Sequence, residues 1–220
     1  SNFLYKNNGN GTFTKITAGS IVNDYSSSRG HAWGDYDNDG WQDLFVVNYE
    51  GLNDFLYHNN GNGTFTRILT GPMVNDGQWG ASAAWMDYDN NGYLDLYVSN
   101  STGNKLYYNN GNGVFTLNNS ALSQNLNSYG FSWGDYNNDG LTDIFTVNAG
   151  QINSLYKNNG GSLFTKVSNE IVGQEGLWSV ATNLIDYNND GKLDLFVTNR
   201  FSNHFNYLYK NVSNNGNFIT

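Results

Sequence analysis

The chain has 220 residues, of which 38% are hydrophobic, 16% aromatic and 13% charged, with 26 Gly, one Pro and no Cys. That apolar content supports a packed core and excludes a disordered chain. The absence of cysteine excludes disulfides without placing the chain inside a cell, and no apolar run approaches the roughly 18 residues of a membrane helix. The net charge of −9 is concentrated: thirteen of the nineteen acidic residues lie in four short loops, leaving six acidic against nine basic residues elsewhere. A basic nucleic-acid footprint is therefore absent, and the acidity belongs to specific places.

In chain order, the first element is a hairpin. "FLYKNNGNGTFTKI" at Phe3 sets two short apolar strands around an Asn/Gly turn, where positive φ costs little. It recurs as "FLYHNNGNGTFTRI" at Phe55, "KLYYNNGNGVFTLN" at Lys105, "SLYKNNGGSLFTKV" at Ser154 and, degenerate, "YLYKNVSNNGNFIT" at Tyr207. The chain thus opens inside a repeat, and "SNFLYKNNGNG" has no signal-peptide pattern, so a removed leader or further upstream sequence is expected. A second hairpin alternates with the first: "AWGDYDNDGWQDLFVVN" at Ala32, "AWMDYDNNGYLDLYVSN" at Ala84, "SWGDYNNDGLTDIFTVN" at Ser132 and "NLIDYNNDGKLDLFVTN" at Asn183. The acidic loops start at residues 35, 87, 135 and 186, spacings of 52, 48 and 51.

Two hairpins per period of about 50 residues predict a four-stranded antiparallel blade that buries its faces against its neighbours. The expectation is an all-β propeller with a half-blade over 1–18 and blades over about 30–70, 82–119, 130–168 and 181–220. Trp33, Trp85 and Trp133 share one position, two residues before the first loop Asp, and are expected between blades; Leu184 replaces them in the fourth copy. Five Asn/Gly hairpins against four acidic ones leave three arrangements open. The chain is a segment of a larger ring, or four blades close with an appendage, or the spare hairpin pairs with another molecule.

The loops read Asp-Tyr-[Asp/Asn]-Asn-[Asp/Asn]-Gly-x-x-Asp, with side-chain oxygens at positions 1, 3, 5 and 9. Ca2+ takes six to eight oxygens; alternate residues of a curled loop can supply three, Gly at position 6 permits the turn, position 7 offers its carbonyl, and the last Asp closes the cage. Mg2+ demands a tighter octahedron, and zinc and copper lack Cys or clustered His. Position 12 holds Val46, Val98, Thr146 and Val197 where an EF-hand needs Glu. A single such loop is readily an ordinary Asx-rich turn; four in register, all with Asp at positions 1 and 9, favour calcium.

On these motifs the chain resembles the FG-GAP/VCBS repeat family, whose blades are similar to those of the integrin α-subunit propeller. The resemblance implies calcium in the loop between the first two strands of each blade. Its ligands map onto Asp35, Asp37, Asp39 and Asp43; Asp87, Asp89, Asn91 and Asp95; Asp135, Asn137, Asp139 and Asp143; and Asp186, Asn188, Asp190 and Asp194. Trp41, Tyr93, Leu141 and Lys192 would add carbonyls. The family's rings commonly have seven blades.

Other features carry less. His31, His58 and His204 occupy unrelated repeat positions and are expected to be ordinary surface or inter-blade residues, with His31 nearest the central channel. Trp41, Trp79 and Trp178 depart from the repeat; burial between blades is the leading expectation, sugar or protein contact the other. Asn-x-Ser/Thr triplets at Asn10, Asn62, Asn100, Asn118 and Asn211 are no more than 40 Asn supply by chance. The expected function is a non-enzymatic, secreted or cell-surface module stabilised by up to four Ca2+, presenting a face to a protein or glycan, with no nucleic-acid partner and no membrane span. Alternatives are a segment of an extracellular fibre, self-associating through the half-blade, and a lectin.

Overall fold

The structure is a computed structural model that describes residues 2–118, 122, 126–168, 172, 177–201, 205–213 and 216–219. The half-blade is β1 (Leu4–Asn7) with β2 (Phe13–Ile16). Blade 1 is β3 (Ser28–Gly34), β4 (Asp43–Asn48), β5 (Phe55–Asn59) and β6 (Phe65–Ile68); blade 2 is β7 (Gly80–Met86), β8 (Asp95–Asn100), β9 (Lys105–Asn109) and β10 (Phe115–Asn118). Blade 3 is β11 (Ser128–Gly134), β12 (Asp143–Asn148), β13 (Ser154–Asn158) and β14 (Phe164–Lys166). Blade 4 is β15 (Ser179–Ile185), β16 (Asp194–Asn199), β17 (Tyr207–Asn211) and β18 (Phe218–Ile219). Each blade is antiparallel with strands in sequence order, and the first strands β3, β7, β11 and β15 approach one another in succession, as the inner strands of a propeller do. The fold is the all-β propeller arrangement expected, four blades with a leading half-blade.

Two local features explain the repeat's chemistry. Each first strand carries a bulge after its first residue, at Ser28/Gly30, Gly80/Ser82, Ser128/Gly130 and Ser179/Ala181, which adds twist at the inner rim. One helical turn, α1 (Ser20–Asn23), tucks Ile21 and Val22 against Leu44, Val46, Phe55 and Tyr57, covering part of the face that the two-stranded half-blade leaves open. The half-blade sits in the register of a true blade. Asn2 Nδ2 donates to Ser28 Oγ at 3.2 Å, as Asn104 does to Ser128 at 3.0 Å and Asn153 to Ser179 at 2.9 Å.

The inter-blade tryptophans correct a sequence expectation. Trp85 is buried, 6% exposed, with its Nε1 donating to Ala32 O, whereas Trp33 and Trp133 are 42% and 44% exposed. Gly34 makes the difference at the first interface: a Cβ there would lie 2.5 Å from the Trp85 ring, so only glycine admits the indole. The equivalent residue in blade 2 is Met86, itself buried, and no such seat is left for Trp133. Gly30 and Gly130 allow close backbone approach to Ala81 and Val180, so blades pair closely as 1 with 2 and 3 with 4. Trp33 lacks a full preceding blade; it lines a cleft of about 320 Å³ beside the half-blade, together with His31 and Arg29. At the other end, Phe196 and Leu208 are 38% and 43% exposed where their counterparts Phe45 and Leu56 are 0% and 2%.

Trp41, Trp79 and Trp178 are not buried between blades as expected: all three are exposed, Trp79 and Trp178 seated edge-on against Tyr49 at 4.6 Å and Phe201 at 5.7 Å, because they lie in loops and linkers outside the strand repeat. Asn100 and Asn211 are fully buried and closed to glycosylation, while Asn10 and Asn62 are exposed. His204 lies outside the described residues.

Candidate metal centre

The four acidic loops join the first two strands of each blade, between β3 and β4, β7 and β8, β11 and β12, and β15 and β16. Their shape follows from two left-handed residues. Position 6 is Gly at φ 81 to 89°, and position 4 is Asn38, Asn90, Asn138 and Asn189 at φ 57 to 60°. Asparagine is among the few side chains that tolerate this region, which explains its presence at position 4 in every copy.

Backbone N–H groups hold the carboxylates in place. At position 1, Asp35 accepts from Asp39 N at 3.0 Å and Gly40 N at 2.9 Å; Asp87, Asp135 and Asp186 repeat both bonds. At position 5, Asp39, Asn91, Asp139 and Asp190 accept from the position 7 N–H of Trp41, Tyr93, Leu141 and Lys192. At position 3, Asp89, Asn137 and Asn188 accept from the position 5 N–H. The position 9 residues Asp43, Asp95, Asp143 and Asp194 are fully buried and accept from Asn59 N, Asn109 N, Asn158 N and Asn211 N, each on the third strand.

This arrangement leaves oxygens converging. One oxygen each from Asp35, Asp37 and Asp39 lies within 4.8 Å of the others, as do oxygens of Asp87, Asp89 and Asp95. Loop 1 presents four carboxylates and the other loops three each, with Asn91 at position 5 of loop 2 and Asn137 and Asn188 at position 3 of loops 3 and 4. Burial is the main cause that pushes Asp43 up to about 6 and Asp95 and Asp143 up to about 7, with neighbouring loop carboxylates adding to it. Asp37 and Asp89 are raised by burial and by Asp39 and Asp87 respectively. Such crowding costs stability unless a proton or a cation neutralises it. The donor set fits a hard cation: oxygen-rich and preorganised, with buried oxygens on Asp37 Oδ1 and Asp194 Oδ2 that have no hydrogen-bond partner.

The third strand supplies a residue that sequence reasoning set aside. His58 Nδ1 lies 3.2 Å from Asp37 Oδ2 and 3.3 Å from Asp43 Oδ1, and its Nε2 lies 3.8 Å from Asp39. It is neither an ordinary surface residue nor an inter-blade one, and it brings a nitrogen donor to a loop read as all-oxygen. The signal was its place directly before Asn59, whose N–H binds the closing Asp. Trp41 and Tyr93 lie over the Asn/Gly hairpin of their own blade, against Gly61 and Gly111, with Trp41 51% exposed.

The loops are also wired between blades. Asn109 Nδ2 donates to Tyr36 O at 2.7 Å, Asn158 Nδ2 to Tyr88 O at 2.8 Å and Asn211 Nδ2 to Tyr136 O at 2.8 Å, each reaching position 2 of the preceding blade's loop. Asn38 Nδ2 donates to Gly92 O at 3.0 Å, joining loops 1 and 2 directly.

The FG-GAP-like repeat matches four overlapping stretches, residues 1–46, 35–98, 87–146 and 135–197. The chain belongs to the FG-GAP-like repeat family. Among curated proteins it is similar to cartilage acidic protein 1 of Mus musculus, 34% identical over 89 residues, covering 40% of this chain and 14% of that protein. The Xenopus tropicalis counterpart is 36% identical over 83 residues, 37% of this chain and 13% of that protein. The matched stretch is thus about one seventh of those relatives' length. In fold, the chain is similar to an Agrocybe aegerita lectin that recognises non-reducing terminal N-acetylglucosamine, with a TM-score of 0.64 at 19% identity, covering 99% of this chain and 58% of the lectin. No helix among the described residues is long and apolar enough to cross a membrane.

Proposed function

We propose that this chain is a calcium-stabilised, non-catalytic recognition module that works outside the cell. The observation that carries the calcium part is the convergence of the loop oxygens, above all the fully buried position 9 carboxylates beside partly buried ones. A bound divalent cation would neutralise this repulsion and supply no chemistry beyond charge and coordination. The residues do the rest: the position 1 and position 5 side chains fold the loop, position 9 ties it to the third strand, and Asn109, Asn158 and Asn211 tie the third strands of blades 2 to 4 to the preceding blade's loop. At millimolar calcium and site affinities of about 10–100 μM, each site adds roughly 1.4–2.7 kcal/mol. Sites of that strength would fill outside cells and stay largely empty in cytosol, so the proposal pairs calcium with an extracellular setting.

Recognition is assigned to the loop face, where Trp41 offers half of an indole held by Gly61. Fixed aromatic surface of this kind binds glycans and protein side chains alike. The experiment is binding of the calcium-loaded chain to glycan and extracellular-protein arrays, repeated in chelator and with Trp41→Ala. The expected result is a ligand lost in chelator and weakened at least tenfold by the substitution. Turnover of a bound glycan or peptide by the pure chain would refute the non-catalytic reading.

A further inference from the structure

The four loops share one backbone and differ in what the third strand points at them. The residue directly before the Asn that binds the position 9 carboxylate is His58, Tyr108, Lys157 or Lys210. In loop 3, Lys157 Nζ lies 3.0 Å from Asp139 Oδ2. In loop 4, Lys210 Nζ is 4.0 Å from Asp190 Oδ2, and Lys192 Nζ is 3.7 Å from Asp190 Oδ1. Tyr108 brings no charge to loop 2; it packs beside the core that contains Met86 and Tyr88. His58 sets a ring nitrogen 3.2 Å from Asp37 Oδ2 and 3.3 Å from Asp43 Oδ1 in loop 1.

We propose that this third-strand position grades the four loops, making loops 1 and 2 the strong divalent-cation sites, loop 3 weaker and loop 4 weakest. The inference rests on the calcium reading above and adds which residues set the order. Counting fixed charges, the loops run from −4 through −3 and −2 to −1: four carboxylates, three, three with Lys157, and three with Lys192 and Lys210. A lysine ammonium at Asp139 or Asp190 already neutralises a carboxylate that a cation would use, and it repels a divalent ion placed beside it. A unit charge about 5 Å from a divalent ion in a water-like dielectric alters affinity by about tenfold. The two closely packed blade pairs would then differ in rigidity: blades 1 and 2 locked by cations, blades 3 and 4 held in part by their own lysines.

The test is calorimetric titration of the calcium-free whole chain with Ca2+, for the native protein, Lys157→Gln, Lys192→Gln with Lys210→Gln, and Tyr108→Lys. The native isotherm should show two tight sites and two weaker ones. Lys157→Gln should strengthen one weak site by about tenfold, and the double substitution should strengthen the weakest site by at least that much. Tyr108→Lys should move one tight site into the weak class. Lys157, Lys192 and Lys210 are 40%, 22% and 44% exposed and belong to no core cluster among the described residues, so these substitutions decide the matter if Tyr108→Lys fails to fold. Four equal sites, or an isotherm unmoved by Lys157→Gln while calcium still binds, would overturn the grading and leave the calcium reading standing. No calcium uptake by the native chain would overturn both.

Discussion

Replacing Asn109 with alanine separates what the asparagine bridges do between blades from what they do within one. Asn109 is fully buried; its amide donates to Tyr36 O of blade 1 at 2.7 Å and to Leu94 O of its own blade at 3.0 Å, and its Oδ1 accepts from Gly111 N at 3.0 Å. Truncation removes three bonds of about 1 kcal/mol each and leaves buried backbone groups unpaired at further cost, so the loss should reach about 3–5 kcal/mol. For a chain of this size that lowers Tm by roughly 10 °C. Asn59 is the matched control. It holds the same repeat position, but its amide reaches only Gln42 O at 3.0 Å and accepts from Gly61 N at 3.1 Å, within blade 1 and nearer solvent. Asn59→Ala should cost about 1 kcal/mol, because water replaces what is lost. Scanning calorimetry of both variants in the same calcium buffer reads the difference directly. Equal losses would show that the cross-blade bond to Tyr36 carries no net stability and would refute the wiring between loops.

Two further outcomes follow from particular neighbours. Asp54 stands where the other blades have Asn104, Asn153 and Asn206; burial, with Asp76 adding to it, raises it to about 8. A raised carboxylate keeps its proton in the folded chain after the unfolded chain has lost it. Its stabilisation is therefore complete below about pH 4 and is lost as pH climbs to about 8, a decline on the order of 5 kcal/mol. Urea denaturation from pH 4 to 8 in chelator should show a decline to which the raised Asp43, Asp95 and Asp143 also contribute, and Asp54→Asn should make it shallower, most clearly near pH 8; an unchanged slope would mean that Asp54 is ionised without penalty. Gly34→Ala puts a methyl against the Trp85 ring and should cost about 1–3 kcal/mol by overpacking. Intrinsic fluorescence should shift red as the indole is displaced, and an unshifted spectrum would count against Gly34 as its seat.

The repeat, the strands and the turns were legible because one 50-residue unit is written four times, and Asn/Gly turns and Asp-rich loops have strong local signatures. The convergence of the loop oxygens could be read from their spacing alone. The rest depended on what lies across a sheet or a blade boundary. His58 is 15 residues from Asp43 and meets it only because β5 pairs with β4 and brings Asn59 N to that carboxylate. The fates of Trp85 and Trp133 look identical along the chain and differ because Gly34 leaves a seat and Met86 fills one. Asparagine at loop position 4 was visible in every copy, but its left-handed backbone is what gives it a cause.

The account depends on cations seated among the position 1, 3, 5 and 9 oxygens. The most direct measurement is metal content by emission spectroscopy after dialysis against millimolar calcium, paired with melting before and after excess chelator. The account predicts at least two calcium ions per chain and a fall in Tm of about 5–20 °C once they are stripped. A chain that retains no calcium and melts at the same temperature in chelator would contradict it.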